Sequence, residues 1–143
     1  MSVTNQLAFD LTADDRFEIA EIFANWARFE DSGNSEGWAH LFTEDGEYVS
    51  AQGQRSNGYE QLLKKSKDRW AKPESRLAIH WFGDPIITAT LDGAEACHYG
   101  MLIHKTADGY HIHDPSIRSY KLRRDQGRWK IASRAIQRLP TIK

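Results

Sequence analysis

"WARFEDSGNSEGW", Trp26 to Trp38, decides how the rest of the chain is read. Upstream of its midpoint, Phe17, Ala20, Ala24, Ala27 and Asp31 recur at spacings of three and four, as do Ile19, Ile22, Phe23, Trp26 and Phe29. That periodicity predicts one helix over 14–31. Asp14 or Asp15 suits its N-terminal end, where an acid can cap and oppose the dipole. "DSGN" stops it, with Gly33 able to take the left-handed conformation that ends helices. The helix is apolar over a wide arc, as expected of one that lies across something concave. Glu30 and Asp31, however, fall in its last turn, where the partial negative charge of a helix C-terminus disfavours carboxylates. Their placement asks for a reason.

Downstream, Ser35–Phe42 reads as a short second helix carrying Trp38, Leu41 and Phe42 inward. "TEDGEYVS" is a turn leading into a strand around Glu47–Ala51. "RSNGYEQLLKKSKDRW" reads as a third helix capped by Ser56 or Asn57, with Tyr59, Leu62, Leu63 and Trp70 as its buried stripe and lysines on the wet side. After Pro73 the period changes. "SRLAIHWFG", "PIITATLDG", "AEACHYGMLIHK", "YHIHDPSIRSYKLRR" and "RWKIASRAIQRL" are strand-rich runs, broken by Asp-Gly, Asp-Gly and Gln-Gly hairpin signals. Helices followed by an antiparallel meander make an α+β domain, one sheet curling around the helices. With no repeats, linkers or low-complexity tracts, 1–143 is a single domain whose first residues, 1–12, form an N-terminal arm.

A chain of 143 residues suffices for one domain with a real core. Its 19 Lys and Arg nearly cancel 20 Asp and Glu, which leaves no bulk charge for nucleic acid or an anionic membrane. Cys97 stands alone, ruling out an internal disulfide framework and suiting a reducing cytoplasm. The N-terminus lacks the basic and apolar regions of a secretory signal, and no apolar run approaches a membrane span. A soluble cytoplasmic protein is the expectation.

Candidate chemistry lies with the histidines. His80 sits mid-strand in "LAIHWFG" among apolar neighbours. Alternation places Ala96, His98, Gly100, Leu102 and His104 on one strand face. A ring that titrates near neutral pH is a costly choice on a buried strand without a partner. An acid at the end of a helix packed into the sheet could be that partner for His80. Bonded to one ring nitrogen, it would fix the tautomer and leave the other nitrogen free to take a proton. Taken alone, each histidine also fits a satisfied core imidazole, and Asp31 fits ordinary turn chemistry.

Four motifs occur in order: "W-A-x-x-x-D-S" at Trp26–Ser32, "W-x-x-L-F" at Trp38–Phe42, "R-x-x-x-H-W" at Arg76–Trp81 and "G-x-W-K-I-A" at Gly127–Ala132. In this order they resemble the NTF2-like superfamily, its scytalone dehydratase and SnoaL-like branch in particular, over residues 14 to 138. The resemblance implies a cone: a strongly bent antiparallel sheet around a long N-terminal helix with two shorter helices, and an apolar pocket at its mouth. It implies that Asp31 falls on the catalytic aspartate and His80 on its paired histidine. His98 and His104 repeat a six-residue spacing in which the second histidine assists the leaving hydroxyl. Ser116 falls on a pocket serine and Arg118 on an asparagine. The dehydratase's two carbonyl-activating tyrosines match Glu30 and Ser50 here, which argues against scytalone as substrate; Tyr48, on the face of Ser50, is the substitute. The oxyanion tyrosine of the ketosteroid isomerase branch has no counterpart near Phe17, which ranks isomerisation lower.

Together these readings imply a cofactor-independent lyase for a small cyclic or aromatic molecule, losing water, halide or a small aldehyde. Asp31, His80 and His104 are its catalytic residues. Tyr48, Trp26, Glu30, Ser50, Trp81, His98, Ser116 and Arg118 bind substrate, with Phe29 a further ring. No metal is expected: "HIHD" at His111–Asp114 puts two rings on one face, but no downstream glutamate completes a set. Cys97 faces away from His98 and His104. The resemblance also implies a homo-oligomer, a trimer by the dehydratase branch ahead of a dimer by the isomerase branch. A non-catalytic ligand carrier or partner subunit is the rival class.

Overall fold

The computed structural model describes residues 10–142, so the arm expected over 1–12 lies, but for its last three residues, outside the described residues. Helix α1 (Ala13–Ser32) starts at a capping box: the Thr12 hydroxyl accepts from the Asp15 amide, and the Asp15 carboxylate accepts from the Thr12 amide. It buries Ile19, Ile22, Phe23 and Trp26 at helical spacing, each worth about 1.5–3 kcal/mol of hydrophobic transfer. The apolar arc is narrower than the sequence predicts, because Phe17 is 68% exposed. Gly33 closes the helix at φ 74°, and a β-carbon there would lie 2.3 Å from the Trp70 indole.

Helix α2 (Ser35–Ala39), capped by the Asn34 side chain, ends three residues earlier than expected, and Phe42 opens strand β1 (Phe42–Val49) instead. Arg55–Asn57 pair with β1 as a short strand β2 before helix α3 (Gly58–Trp70) begins. A 3₁₀ turn (Pro73–Arg76) leads to β3 (Ala78–Phe82), β4 (Ile86–Thr90), β5 (Gly93–Thr106), β6 (Gly109–Asp125) and β7 (Arg128–Arg138). The sheet order is β2-β1-β7-β6-β5-β3, with β4 also paired to β5. All pairings are antiparallel but one: β1 runs parallel to β7, so the sheet is mixed rather than a pure meander.

Helix α1 packs on both β3 and β7, which are separated in the sheet by β5 and β6, so the sheet must curve around it. Two bulges assist. One extra residue enters β6 near Asp114 (φ 56°), where Gly100 and Leu102 of β5 face Ser116 and His113. Another enters β7 at Ala132, between the partners of Leu122 and Lys121. The core under α1 is aromatic, with Trp26 and Trp38 in contact with each other and each with Phe42 and Tyr48. Among the described residues no helix is long and apolar enough to cross a membrane.

Candidate active site

The last turn of α1 and the middle of β3 meet through His80. Asp31 accepts from the His80 backbone amide at 3.1 and 3.2 Å and contacts the ring Nδ1 at 2.8 Å. On the opposite edge, Nε2 lies 2.5 Å from Glu30 Oε2 and 3.2 Å from Arg69 Nη2. Nε2 cannot donate to one and accept from the other, and the shorter contact to the carboxylate decides: both ring nitrogens donate to acids. Arg69, from α3, also binds Glu30 at 2.9 Å. The acids that oppose the α1 dipole are thus balanced by an imidazolium and a guanidinium.

Burial alone would push the His80 imidazole down; the Glu30 charge and the bonds to Asp31 and Glu30 outweigh it and hold the ring above its usual value. Burial would likewise push the Glu30 carboxyl up, but the His80 and Arg69 charges overcome it and hold it at about 2. Glu30 and His80 both line a cavity of about 720 Å³, and Asp31 stands behind them outside its wall. Glu30 therefore faces the cavity. It also occupies the nitrogen that the sequence reading left free.

The cavity is not the apolar pocket expected. Three lysines and four arginines line it against four carboxylates, and its apolar wall is little more than Leu102, Ile136 and the Tyr48 ring. Lys64 and Lys65 of α3, on what reads as a wet face, border this cavity, whereas Lys67 lies outside its lining, and Leu62 is the buried residue of that helix. Arg118 and Arg134 bring charge in from the sheet.

The remaining candidates divide. Tyr48, Ser50 and Arg118 line the cavity with Glu30 and His80. Ser116 is buried just behind, accepting from Arg118 Nε at 3.2 Å. Trp26 is fully buried in the core, and Trp81 is 59% exposed in a shallow outer groove with Tyr99 and Leu139; neither ring lines the cavity. His98 is core too: Nδ1 donates to the Tyr99 carbonyl, and Nε2 accepts from the Tyr120 hydroxyl. Burial, with the Arg118 and Arg134 charges, pushes it down to about 4. His104 lies two residues past Leu102, the register partner of His80, and outside the cavity lining. Its Nε2 is buried without a partner, and its ring stands edge-on to His113.

The "HIHD" side chains have other engagements: His111 with Thr106, and Asp114 with Arg138. Among the described residues no three His, Cys, Asp or Glu gather as a metal site.

Sequence reasoning missed Arg69 and Arg134. Strict alternation from Trp129 and Ile131 would turn Ser133 inward and Arg134 out. The bulge at Ala132 reverses that, and nothing in "KIASRA" announces it. Arg69 falls on the charged stripe of α3, which reads as solvent-facing.

A family model described as a SnoaL-like domain matches residues 11–135. No curated protein matches the chain. An NTF2-like protein with a cystatin-like fold from Novosphingobium aromaticivorans is similar at TM-score 0.82 and 24% identity, over 94% of this chain and 88% of that one. Aln2 from a Streptomyces species is similar at TM-score 0.77 and 20% identity, over 90% and 93%. A structure from Catenulispora acidiphila in complex with S-DNPA is similar at TM-score 0.76 and 21% identity, over 89% and 95%.

Proposed function

The chain belongs to the SnoaL-like domain family, and on that footing we propose that it is a cofactor-independent lyase removing water from a small cyclic or aromatic substrate. The observation that carries this reading is His80 held between Asp31 and Glu30 at a cavity wall. Asp31 keeps Nδ1 protonated and the ring oriented. His80 Nε2 and Glu30 share one further proton. Moved onto Glu30, it leaves Nε2 as a base and Glu30 as an acid, both facing the cavity. Nε2 then takes the proton from carbon, the C–H pair becomes the new double bond, and Glu30 protonates the departing hydroxyl. Water leaves, and the imidazolium–carboxylate pair is restored. Glu30 thus takes the acid role expected of His104. Loss of halide or of a small aldehyde would use the same base, and the volume suits a small ligand.

The test is a screen of β-hydroxy carbonyls and aromatic diols for loss of water or formaldehyde. On a substrate so found, His80→Ala and Asp31→Asn should each lower turnover by about 10²–10⁴ with the fold retained. Near-native turnover in either removes the dyad from the mechanism.

One observation favours a second reading. Both nitrogens of His80 are occupied, so the ion pair could serve only to clasp α1 and α3 to β3 in a non-catalytic binding module. In that case the same screen gives ligands without products. Self-association belongs to the proposal as well: Ile79, Trp81 and Tyr99 are exposed together on the outer sheet face. Sedimentation should return a homo-oligomer, a trimer by the family resemblance.

A further inference from the structure

Arg118 on β6 and Arg134 on β7 are 3% and 2% exposed, and both line the cavity. Neither has a carboxylate within ion-pair distance among the described residues, whereas Arg69 at the same cavity has Glu30. Arg118 donates through Nε to Ser116. Arg134 reaches the Val49 carbonyl only at 3.4 Å, and its Nε is buried without an acceptor. Tyr120 nearby gives no counter-charge, because burial pushes its hydroxyl up to about 12. The two guanidiniums also repel: burial first, then the Arg134 charge, pushes Arg118 below its usual value.

Aromatic faces hold both groups. The Arg134 Cζ lies 4.4 Å from the Tyr48 ring centroid and 5.4 Å from Trp26, and the Arg118 Cζ lies 4.9 Å from Phe82. A buried cation is tolerated when paired. Here the protein supplies the cations, fixes their planes, and leaves the counter-ion out. Glu30, an acid whose charge reaches them, is already bound by His80 and Arg69.

We propose that Arg118 and Arg134 form a seat for a carboxylate on the ligand, so that the cavity takes cyclic or aromatic carboxylic acids. A planar carboxylate matches the fork of a guanidinium and can bond two of them at once. The proposal rests on the reading of this cavity as the substrate site. It adds that recognition is led by an anionic group rather than by apolar walls.

Calorimetric titration of the full chain with benzoate, benzamide and inorganic phosphate tests it. Benzoate should bind at least tenfold more tightly than benzamide. Arg134→Gln and Arg118→Gln should each abolish that preference. Equal binding of benzoate and benzamide overturns the proposal. So does phosphate binding as tightly as benzoate, which would mark a general oxyanion site. Should the arginine variants not fold, the wild-type comparison still decides, read as the difference in melting-temperature shift between the two ligands. Repeating it in His80→Ala separates this inference from the lyase reading. A benzoate preference that survives there, with no turnover of any substrate by the wild type, upholds the seat and sinks the lyase. Turnover of neutral substrates without any carboxylate preference does the reverse.

Discussion

His80 on β3 and His98 on β5 are buried imidazoles on the concave face of one sheet, each with both ring nitrogens bonded. Their surroundings give them opposite protonation. Around His80 the bonding atoms are carboxylate oxygens, so the ring is an imidazolium and the end of α1 is electrically closed. Around His98 they are a carbonyl that takes one proton and a hydroxyl that gives one back, with Arg118 and Arg134 adding positive charge, so the ring stays neutral. Burial is common to both and cannot be what separates them. The sign of the neighbours is. The two arginines that add to burial in keeping His98 neutral are the cations left without a counter-ion.

The comparison is broken most severely at Glu30. Glu30→Ala strands the His80 and Arg69 charges beside a half-dismantled pair, and removing one partner of a buried pair costs about 3–5 kcal/mol. His98→Phe keeps the ring's volume and its contacts with Phe23, Phe82 and Tyr120, and leaves the Tyr120 hydroxyl without its acceptor. That should cost about 1–3 kcal/mol. Urea unfolding of the two variants measures the gap. Equal losses would mean that His80 carries no charge in the folded protein.

A second way to sharpen the contrast is pH. The His80 value is raised in the folded state, so its contribution is fully present below about 6.5 and is lost as pH climbs through the folded value. His98 falls to about 4, so its contribution is present above 6.5 and is lost as pH drops toward 4. The two slopes oppose each other, and Glu30, held at about 2, adds a further loss below about 4.5. Stability should therefore peak near pH 6.5 and fall on both sides. An NMR titration assigned with single variants should show His80 titrating above 6.5, falling in Asp31→Asn, and His98 near 4. A His80 that ignores Asp31→Asn would undo the dyad.

How far the sequence could reveal this site depends on which interactions are local. The α1 helix, its Gly33 stop and the strand runs follow from periodicity and turn chemistry, and the misplaced acids at the helix end pointed to a distant partner. The cavity's polarity was not legible. It depends on a bulge that rotates Arg134 inward and on the seating of α3, whose Lys64 and Lys65 border the cavity while Lys64 stays largely in water. Alternation also gave His98 and His104 the same face correctly as a row. It could not say that His98 sits under α1 in the core while His104 lies beyond the cavity. Position along a strand is set by what packs above it, and that information is long-range. Trp26 and Trp81 show the same limit: rings read as pocket walls are, respectively, core and outer surface.

The smallest effect should come from Arg69, and its direction is the informative part. Arg69 pulls His80 down by charge while helping to hold Glu30 down. Its side chain is 31% exposed, so Arg69→Met should cost stability only at the level of a partly screened pair, roughly 0.5–1 kcal/mol. With that cation gone, His80 should titrate higher than in the wild type, whereas Asp31→Asn moves it lower. Opposite shifts from two neighbours of one ring are what a charged cluster requires, and a hydrogen-bonded neutral histidine would not give them. On any substrate that the lyase screen returns, the falling limb of the pH–rate profile, where the proton shared by His80 and Glu30 is lost, should follow the same two directions, upward in Arg69→Met and downward in Asp31→Asn. If both variants shift the limb the same way, the shared proton is not held by His80.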